Sequence, residues 1–127
     1  MKKQLAFKYD LDCKVSVYVP STMDVNKPVD NTEKVLEIIK KLSTIFGGAT
    51  ASNAFGGWVA QNGEVVTEKV TIVYAFCSSE QLSENIDTVY GICLDLKKSM
   101  KQEAITLEIN GQVKFISQKY ENLHTFR

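Results

Sequence analysis

The chain has 127 residues, of which 44% are hydrophobic and 24% charged, and its fifteen basic and fifteen acidic residues cancel. This length and composition predict one globular domain, residues 1–127. The zero net charge argues against a DNA- or RNA-binding protein, which normally carries a basic surface for phosphates. Because no apolar run is long enough to span a membrane and no signal peptide is expected, we predict a cytoplasmic protein without a membrane partner.

The first half of the chain predicts a strand followed by a helix. Valines at 15, 17 and 19 alternate with Lys14, Ser16 and Tyr18, which predicts a strand that ends at Pro20. A weaker strand is expected at residues 5–9. Asp30 or Asn31 is expected to cap a helix whose apolar residues recur at helical spacing. Gly47-Gly48 then ends that helix.

The second half predicts two hairpins around a second helix. Strands at about residues 49–61 and 65–76 flank Asn62-Gly63, a typical hairpin turn. Ser78 and Gln81 form a capping-box pattern for the next helix. Strands at residues 104–109 and 112–116 flank a second turn, Asn110-Gly111. The remaining residues, 117–127, form a polar tail outside a core of about 14–116.

This order of elements predicts an α+β fold. The first six elements match the ferredoxin-like βαββαβ unit, an antiparallel sheet with two helices on one face, and an extra strand follows in a C-terminal hairpin. The face of the sheet without helices needs a cover, and a half-apolar set of residues is expected on it. We therefore predict a homodimer or higher homo-oligomer. The residues expected on this face are Tyr18, Thr71, Val73, Ala75 and Thr106.

The residues that usually carry catalysis are scarce. The single histidine, His124, lies in the polar tail, so neither a histidine–cysteine nor a histidine–serine relay is expected. The cysteines, Cys13, Cys77 and Cys93, form no metal-ligand spacing; reduced, buried thiols are expected, and a disulfide is the less common alternative. We expect no metal and no cofactor.

The segment Phe46–Glu64 carries little side-chain bulk just ahead of the only tryptophan. One interpretation is structural: glycines in a strand mark a bulge or a close backbone approach. The other is a pocket in which backbone N–H groups, small polar side chains and aromatic rings bind a flat, phosphate-bearing ligand. The candidate ligand-binding residues are Thr50, Ser52, Asn53, Trp58, Tyr74, Phe76 and Asn85.

Several short motifs resemble a group of small clostridial and phage proteins. These motifs are Tyr18–Thr22, Phe46–Ala51, Gly57–Val59, Val70–Tyr74 and Gln102–Ala104. The functional family that the chain resembles is the Thoeris anti-defence sponges of phages. That resemblance implies an oligomeric protein that sequesters a cyclic ADP-ribose-type signal without cleaving it. Arg127 is the only arginine, so lysines or backbone N–H groups would have to bind the phosphates.

The sequence thus predicts a non-catalytic protein that binds a small nucleotide-derived signal and inhibits an antiviral defence. Two alternatives stay open. The first is a small ferredoxin-like enzyme of unknown substrate, with Glu68, Tyr74 and Cys77 as candidate residues. The second is an inhibitor that binds another protein through its open sheet face.

Overall fold

The structure is a computed structural model that describes residues 10–24 and 27–118. The strand expected at residues 5–9, His124 and most of the polar tail lie outside these residues. The elements in chain order are β1 (Cys13–Pro20), β2 (Thr22–Met23), β3 (Lys27–Pro28), α1 (Thr32–Phe46), β4 (Thr50–Val59), β5 (Val65–Cys77), α2 (Ser79–Ser99), β6 (Ile105–Ile109) and β7 (Gln112–Ile116).

The main sheet has five antiparallel strands in the order β4-β5-β1-β6-β7, and β2 and β3 form a separate two-stranded pair. The order β6-β1-β5-β4 is that of a ferredoxin-like βαββαβ unit. Each helix connects two strands that have one other strand between them, and the two inner strands of the unit, β1 and β5, are antiparallel. Strand β7 extends the edge through the hairpin at Asn110-Gly111, where both residues have positive φ. The α+β fold with an extra hairpin strand is confirmed.

Both helices begin, and α1 ends, at the predicted residues, but one capping side chain makes a different hydrogen bond from the one expected. At α2, the Ser78 hydroxyl accepts from the Gln81 N–H (3.1 Å) and the Gln81 side chain accepts from the Ser78 N–H (3.0 Å), so the capping box is confirmed. At α1, Asn31 is the capping residue but its side chain donates to the Pro20 carbonyl (3.1 Å) instead. Gly47 ends α1 in the left-handed conformation.

The hydrophobic core lies between the helices and one face of the sheet. Val15 pairs with Ala75 and Val17 with Val73, and all four side chains are buried on the helix side. The prediction that Thr71, Val73 and Ala75 lie on the helix-free face is therefore wrong. Side chains alternate between the faces of a strand, so the register to β1 decides the face of each residue on β5.

The helix-free side of the sheet, here called the open face, carries the other half of each strand. Tyr18 pairs with Ile72 and Ser16 pairs with Tyr74, which places these residues on it, and Tyr18 and Thr106 lie there as predicted. Several large apolar side chains on this face are exposed; they are Trp58, Val66, Phe76, Val113 and Phe115. Among the described residues, no helix is long and apolar enough to cross a membrane.

Candidate functional site

Strands β4 and β5 extend beyond the rest of the sheet. They pair continuously from Thr50–Tyr74 to Val59–Val65, whereas β1 pairs with β5 only as far as Val70. The last five residue pairs, residues 55–59 with 65–69, therefore form a two-stranded ribbon that projects by about 16 Å. We call this ribbon the arm.

The glycines of the arm do not mark a bulge. The register between β4 and β5 is constant along all their pairs, so the bulge interpretation of this segment is wrong. A Cβ atom at Gly56 would meet no atom within 4 Å, and one at Gly57 would make ordinary contacts of 3.5 Å with Val65 and Val66. Gly56 lies directly opposite Glu68, so its missing side chain leaves the space beside that carboxylate open.

A cleft of about 820 Å³ lies between the arm and two loops that follow β1 and α2. A smaller cleft of about 320 Å³ adjoins it on the open face and shares Trp58 and Glu68 with it. We call the two together the arm cleft. The residues that line the larger part are Ser21, Thr22, Pro28, Val29, Phe55, Trp58, Val66, Thr67, Glu68, Lys69, Gln102, Glu103 and Ala104.

Hydrogen bonds fix the walls of the arm cleft. The Gln102 amide donates to the Thr22 carbonyl (2.9 Å) and to the Met100 carbonyl (3.1 Å), which joins the two loops. The Ser21 hydroxyl donates to the Lys69 carbonyl, which ties the loop after β1 to the base of the arm. The cleft is therefore formed by connected segments of the chain.

Inside the arm cleft, a carboxylate stands beside an exposed indole. Trp58 pairs with Val66 on the same face as Glu68, so the two side chains are diagonal neighbours across the ribbon. Trp58 is 54% exposed. A carboxylate next to an aromatic face is a typical arrangement for binding a cation, because both attract positive charge. Two carboxylates, Glu68 and Glu103, and one ammonium group, Lys69, line the larger part, so the arm cleft fits a positively charged ligand with apolar parts.

A phenol borders the smaller part of the arm cleft. The Tyr18 hydroxyl donates to a Glu108 carboxylate oxygen at 2.9 Å. Desolvation, together with the Glu108 carboxylate, raises the pKa of Tyr18, so the phenol stays neutral near pH 7. A neutral phenol whose one proton is donated to Glu108 can accept a further hydrogen bond but does not act as a base.

Of the three residues that the sequence offers for catalysis, Glu68 is the one in the arm cleft. Burial raises the pKa of Cys77 to about 11, so its thiolate is scarce near neutral pH. Tyr74 lies on the other end of the open face, eight residues along β5 from the partner of Trp58, or about 26 Å away.

The structure separates the predicted ligand-binding residues into groups. Trp58 lies in the arm cleft, whereas Thr50, Tyr74 and Phe76 line a second cleft of about 560 Å³ at the opposite end of β5. There the rings of Tyr74 and Phe76 meet edge to face at 5.7 Å, and the Lys14 ammonium lies 4.4 Å from the Tyr74 ring centre. The expected aromatic cluster is therefore not one pocket within a single chain.

The other three predicted ligand-binding residues line neither the arm cleft nor the second cleft. The Asn53 side-chain oxygen accepts from the Thr71 hydroxyl (3.1 Å) on the helix side of the sheet. The Asn85 amide donates to the Gln81 carbonyl (2.8 Å) within α2. Ser52 lies on the open face opposite Ile72, between the two clefts. Their binding of a ligand stays a prediction.

Sequence reasoning missed the loops that complete the arm cleft. Thr22 and Gln102 lie outside any periodic pattern, and the one signal that included them was their place in the short motifs Tyr18–Thr22 and Gln102–Ala104. Within residues 10–24 and 27–118, no group of three or more histidine, cysteine, aspartate or glutamate side chains is placed to hold a metal ion.

Comparison with known proteins gives structural matches. No protein-family model matches the chain, and no curated protein matches it significantly. One match is a phage SAM lyase in complex with S-methyl-5′-thioadenosine, with 19% identity, a TM-score of 0.61, and coverage of 91% of this chain and 98% of that chain. Another is a phage SAM lyase in the apo state, with 19% identity, a TM-score of 0.64, and coverage of 93% and 98%. At this identity the matches establish a shared fold.

These matches correct one prediction and support others in part. The prediction of a non-catalytic protein is contradicted, because these two structures are of a lyase, an enzyme that cleaves a bond. The resemblance to phage proteins is supported, because both lyases come from phages, whereas the kinship with Thoeris sponges is not confirmed. The ligand in one of them is a nucleoside without a phosphate, so it agrees with the expected small nucleotide-derived ligand but not with a phosphate-bearing one.

Proposed function

We propose that this chain is a lyase of S-adenosylmethionine (SAM) that releases S-methyl-5′-thioadenosine. The observation that carries the proposal is the Glu68 carboxylate beside the Trp58 indole in the arm cleft, on a fold shared with a phage SAM lyase. SAM is a cation with an aromatic adenine ring and apolar groups around its sulfur, and this is the kind of ligand that the arm cleft fits.

The product defines which bond breaks. The SAM sulfur is bonded to a methyl group, to the 5′ carbon of the nucleoside and to the γ-carbon of the amino-acid chain. S-methyl-5′-thioadenosine keeps the first two, so the bond from sulfur to the γ-carbon is cleaved and its electron pair goes to sulfur. A lyase adds no water, so we propose that the substrate's own carboxylate attacks the γ-carbon and closes a lactone. No proton needs to be transferred in this step.

The charges of this reaction assign roles to the two side chains. The positive sulfur and the negative carboxylate neutralise each other as the bond breaks, so an apolar surrounding that excludes water favours the reaction. Trp58, aided by Phe55, provides apolar surface in the cleft. The α-ammonium group keeps its charge throughout, and we assign Glu68 to hold it through a charge-assisted hydrogen bond.

The first test is product analysis. The protein is incubated with SAM, and S-methyl-5′-thioadenosine and the four-carbon product are quantified by chromatography and mass spectrometry. We expect equal amounts of the two, with the lactone as the first four-carbon species. Absence of S-methyl-5′-thioadenosine would overturn the proposal, and homoserine formed directly with an oxygen from labelled water would identify a hydrolase instead.

The second test removes one charge. We expect Glu68→Gln to lower kcat/KM for SAM by about 10- to 100-fold, because a hydrogen bond to a charged group contributes about 1.5–3 kcal/mol. Glu84→Gln, on the exposed surface of α2, is the matched control and is expected to leave the rate unchanged. A full rate in Glu68→Gln would contradict the assigned role of this residue.

A phage-encoded SAM lyase would act against the host rather than bind one defence signal. Removing SAM deprives methylation reactions of their donor, and we propose this as the anti-defence role, exerted in the host cytoplasm. Cyclic ADP-ribose, the ligand of the predicted sponge, serves as the comparison in a thermal-shift assay with S-methyl-5′-thioadenosine. We expect stabilisation by the thioadenosine alone; stabilisation by cyclic ADP-ribose without SAM cleavage would overturn the lyase proposal.

We also propose that the protein is a homo-oligomer in which a second copy covers the arm and the open face. Four apolar side chains of the arm, Phe55, Trp58, Val59 and Val65, are more than half exposed, and an isolated two-stranded ribbon is only marginally stable in water. Light scattering is expected to show a dimer or a larger assembly, and Val59→Lys is expected to lower its mass. A monomer at all concentrations would contradict this proposal.

A further inference from the structure

Two of the three cysteines lie directly opposite each other across the centre of the sheet. Cys13 is the first residue of β1, Cys77 is the last residue of β5, and the two are partners in the antiparallel register. Both side chains point to the helix side with Val15 and Ala75, and both are buried in the core. Opposed residues in an antiparallel pair have Cβ atoms about 4.5–5.5 Å apart, close to the distance that a disulfide spans.

We propose that Cys13 and Cys77 form a redox-active pair that closes to a disulfide by exchange with a low-molecular-weight disulfide such as oxidised glutathione. This inference is independent of the proposed lyase activity, because neither cysteine lines the arm cleft. The feature that carries it is the direct cross-strand pairing of two free thiols at the end of a strand.

The exchange balances in two steps. In the first, one thiolate attacks a sulfur of the small disulfide, forms a mixed disulfide and releases one small thiol. In the second, the other cysteine attacks the protein-bound sulfur, forms the Cys13–Cys77 bond and releases the second small thiol. The protein loses two electrons and two protons, and the small disulfide gains them.

The geometry indicates which thiol reacts first. Cys13 is 6% exposed and Cys77 is 0% exposed, and residues 10–12, which precede Cys13, are exposed. Cys13 also has polar contacts, since the Asn110 amide donates to its sulfur at 3.5 Å and the Ser79 hydroxyl lies at 3.7 Å. Ends of strands open more readily than their centres, so we assign the first attack to Cys13 and the closing attack to Cys77.

Cys93 provides an internal control. It lies in α2, which begins at Ser79, two residues after Cys77. Cys93 is fourteen residues further along, so its Cα atom lies about 21 Å along the helix from Ser79. Burial raises its pKa to about 12. A folded chain is therefore expected to join Cys13 to Cys77 and to leave Cys93 as a free thiol.

The test is disulfide mapping under native conditions. The reduced full chain is incubated with oxidised glutathione, free thiols are alkylated, and the protein is cleaved after lysine and glutamate. This cleavage places the three cysteines in separate peptides, residues 9–14, 70–80 and 85–97. We expect a linked pair of the first two peptides and an alkylated third peptide. Absence of that linked pair after prolonged incubation would overturn the inference.

Two further measurements exclude pairing in unfolded chains. In urea, where the strands are separated, disulfides between all three pairs of cysteines are expected. The same mixture of disulfides in native buffer would contradict the inference. In Cys77→Ser, we expect Cys13 to stop at the mixed disulfide with glutathione. The disulfide closes a long loop between residues 13 and 77, so the oxidised protein is expected to melt about 10 °C higher than the reduced protein.

Discussion

The two halves of β5 contrast within one strand. Toward Cys77, alternate residues are buried under the helices, and Val73 has no exposed surface. Toward Val65, which is 67% exposed, the strand continues with the same β-branched residue types but no helix covers it. The covered half contributes to stability through apolar burial, whereas the arm gains little from burial within one chain and carries the candidate site. The contrast separates residues that stabilise the fold from residues that form the candidate site.

The largest expected effect is in the covered half. Val73→Asp places a carboxylate without a partner among Val17, Leu42 and other core side chains. We expect this change to lower the free energy of unfolding by about 4 kcal/mol or more, because a buried charge without a partner is among the most costly substitutions. The midpoint of urea unfolding measures it, and we expect the loss at every protein concentration.

Val65→Asp is the matched change in the arm. For a single chain we expect an effect within about 0.5 kcal/mol, because the side chain is exposed. If a second copy covers the arm, the wild-type protein gains stability with concentration and Val65→Asp removes that gain. An equal loss from both substitutions at high dilution would show that the arm is as buried as the rest of the strand.

A smaller effect is expected from filling the space beside Glu68. Gly56→Val adds a β-branched side chain on the open face where no atom lies within 4 Å of a Cβ, so the fold tolerates it. The added methyl groups would occupy the space that the substrate needs. We expect kcat/KM for SAM to fall by about tenfold while the melting temperature stays the same or rises slightly.

The neighbouring glycine is the control for this change. A side chain at Gly57 points to the other face and makes ordinary contacts with Val65 and Val66. Gly57→Ala is therefore expected to keep the rate of SAM cleavage. An unchanged rate in Gly56→Val would show that the substrate lies elsewhere, and a lower rate in both variants would indicate that the ribbon itself is distorted.

Local chemistry made most of the fold predictable from the sequence. The capping box at Ser78 and Gln81, the left-handed Gly47 and the hairpin turn at Asn110-Gly111 each involve neighbours in the chain, and each was predicted. Alternation and helical spacing then placed the strands and helices in the correct order. Such signals depend on a few adjacent residues, so they can be recognised without knowledge of the tertiary structure.

The candidate site was harder to predict because it depends on register. Sequence periodicity shows that residues on β5 alternate, but the pairing with β1 decides which half faces the helices, and Thr71, Val73 and Ala75 were assigned to the wrong face. The arm exists because β1 ends before β5 does, a difference in length that periodicity in either strand does not reveal. The sequence offers Glu68 as a candidate residue of an enzyme, but its position opposite Gly56 follows from the register alone.

The smallest effect is expected at the far end of the open face. Phe76→Ala shortens an exposed ring that lies two residues beyond Tyr74 and contacts it at 5.7 Å between ring centres. Because this end is more than about 26 Å from Trp58 within one chain, we expect kcat/KM for SAM to change by less than about twofold. A strong loss of kcat/KM would mean that Phe76 contacts the substrate. Because Phe76 is too far from the arm cleft of its own chain, the substrate would then lie between two copies of the chain. Combining Phe76→Ala with Val59→Lys then separates the cases, because a ring that acts across an interface has no further effect once the interface is lost.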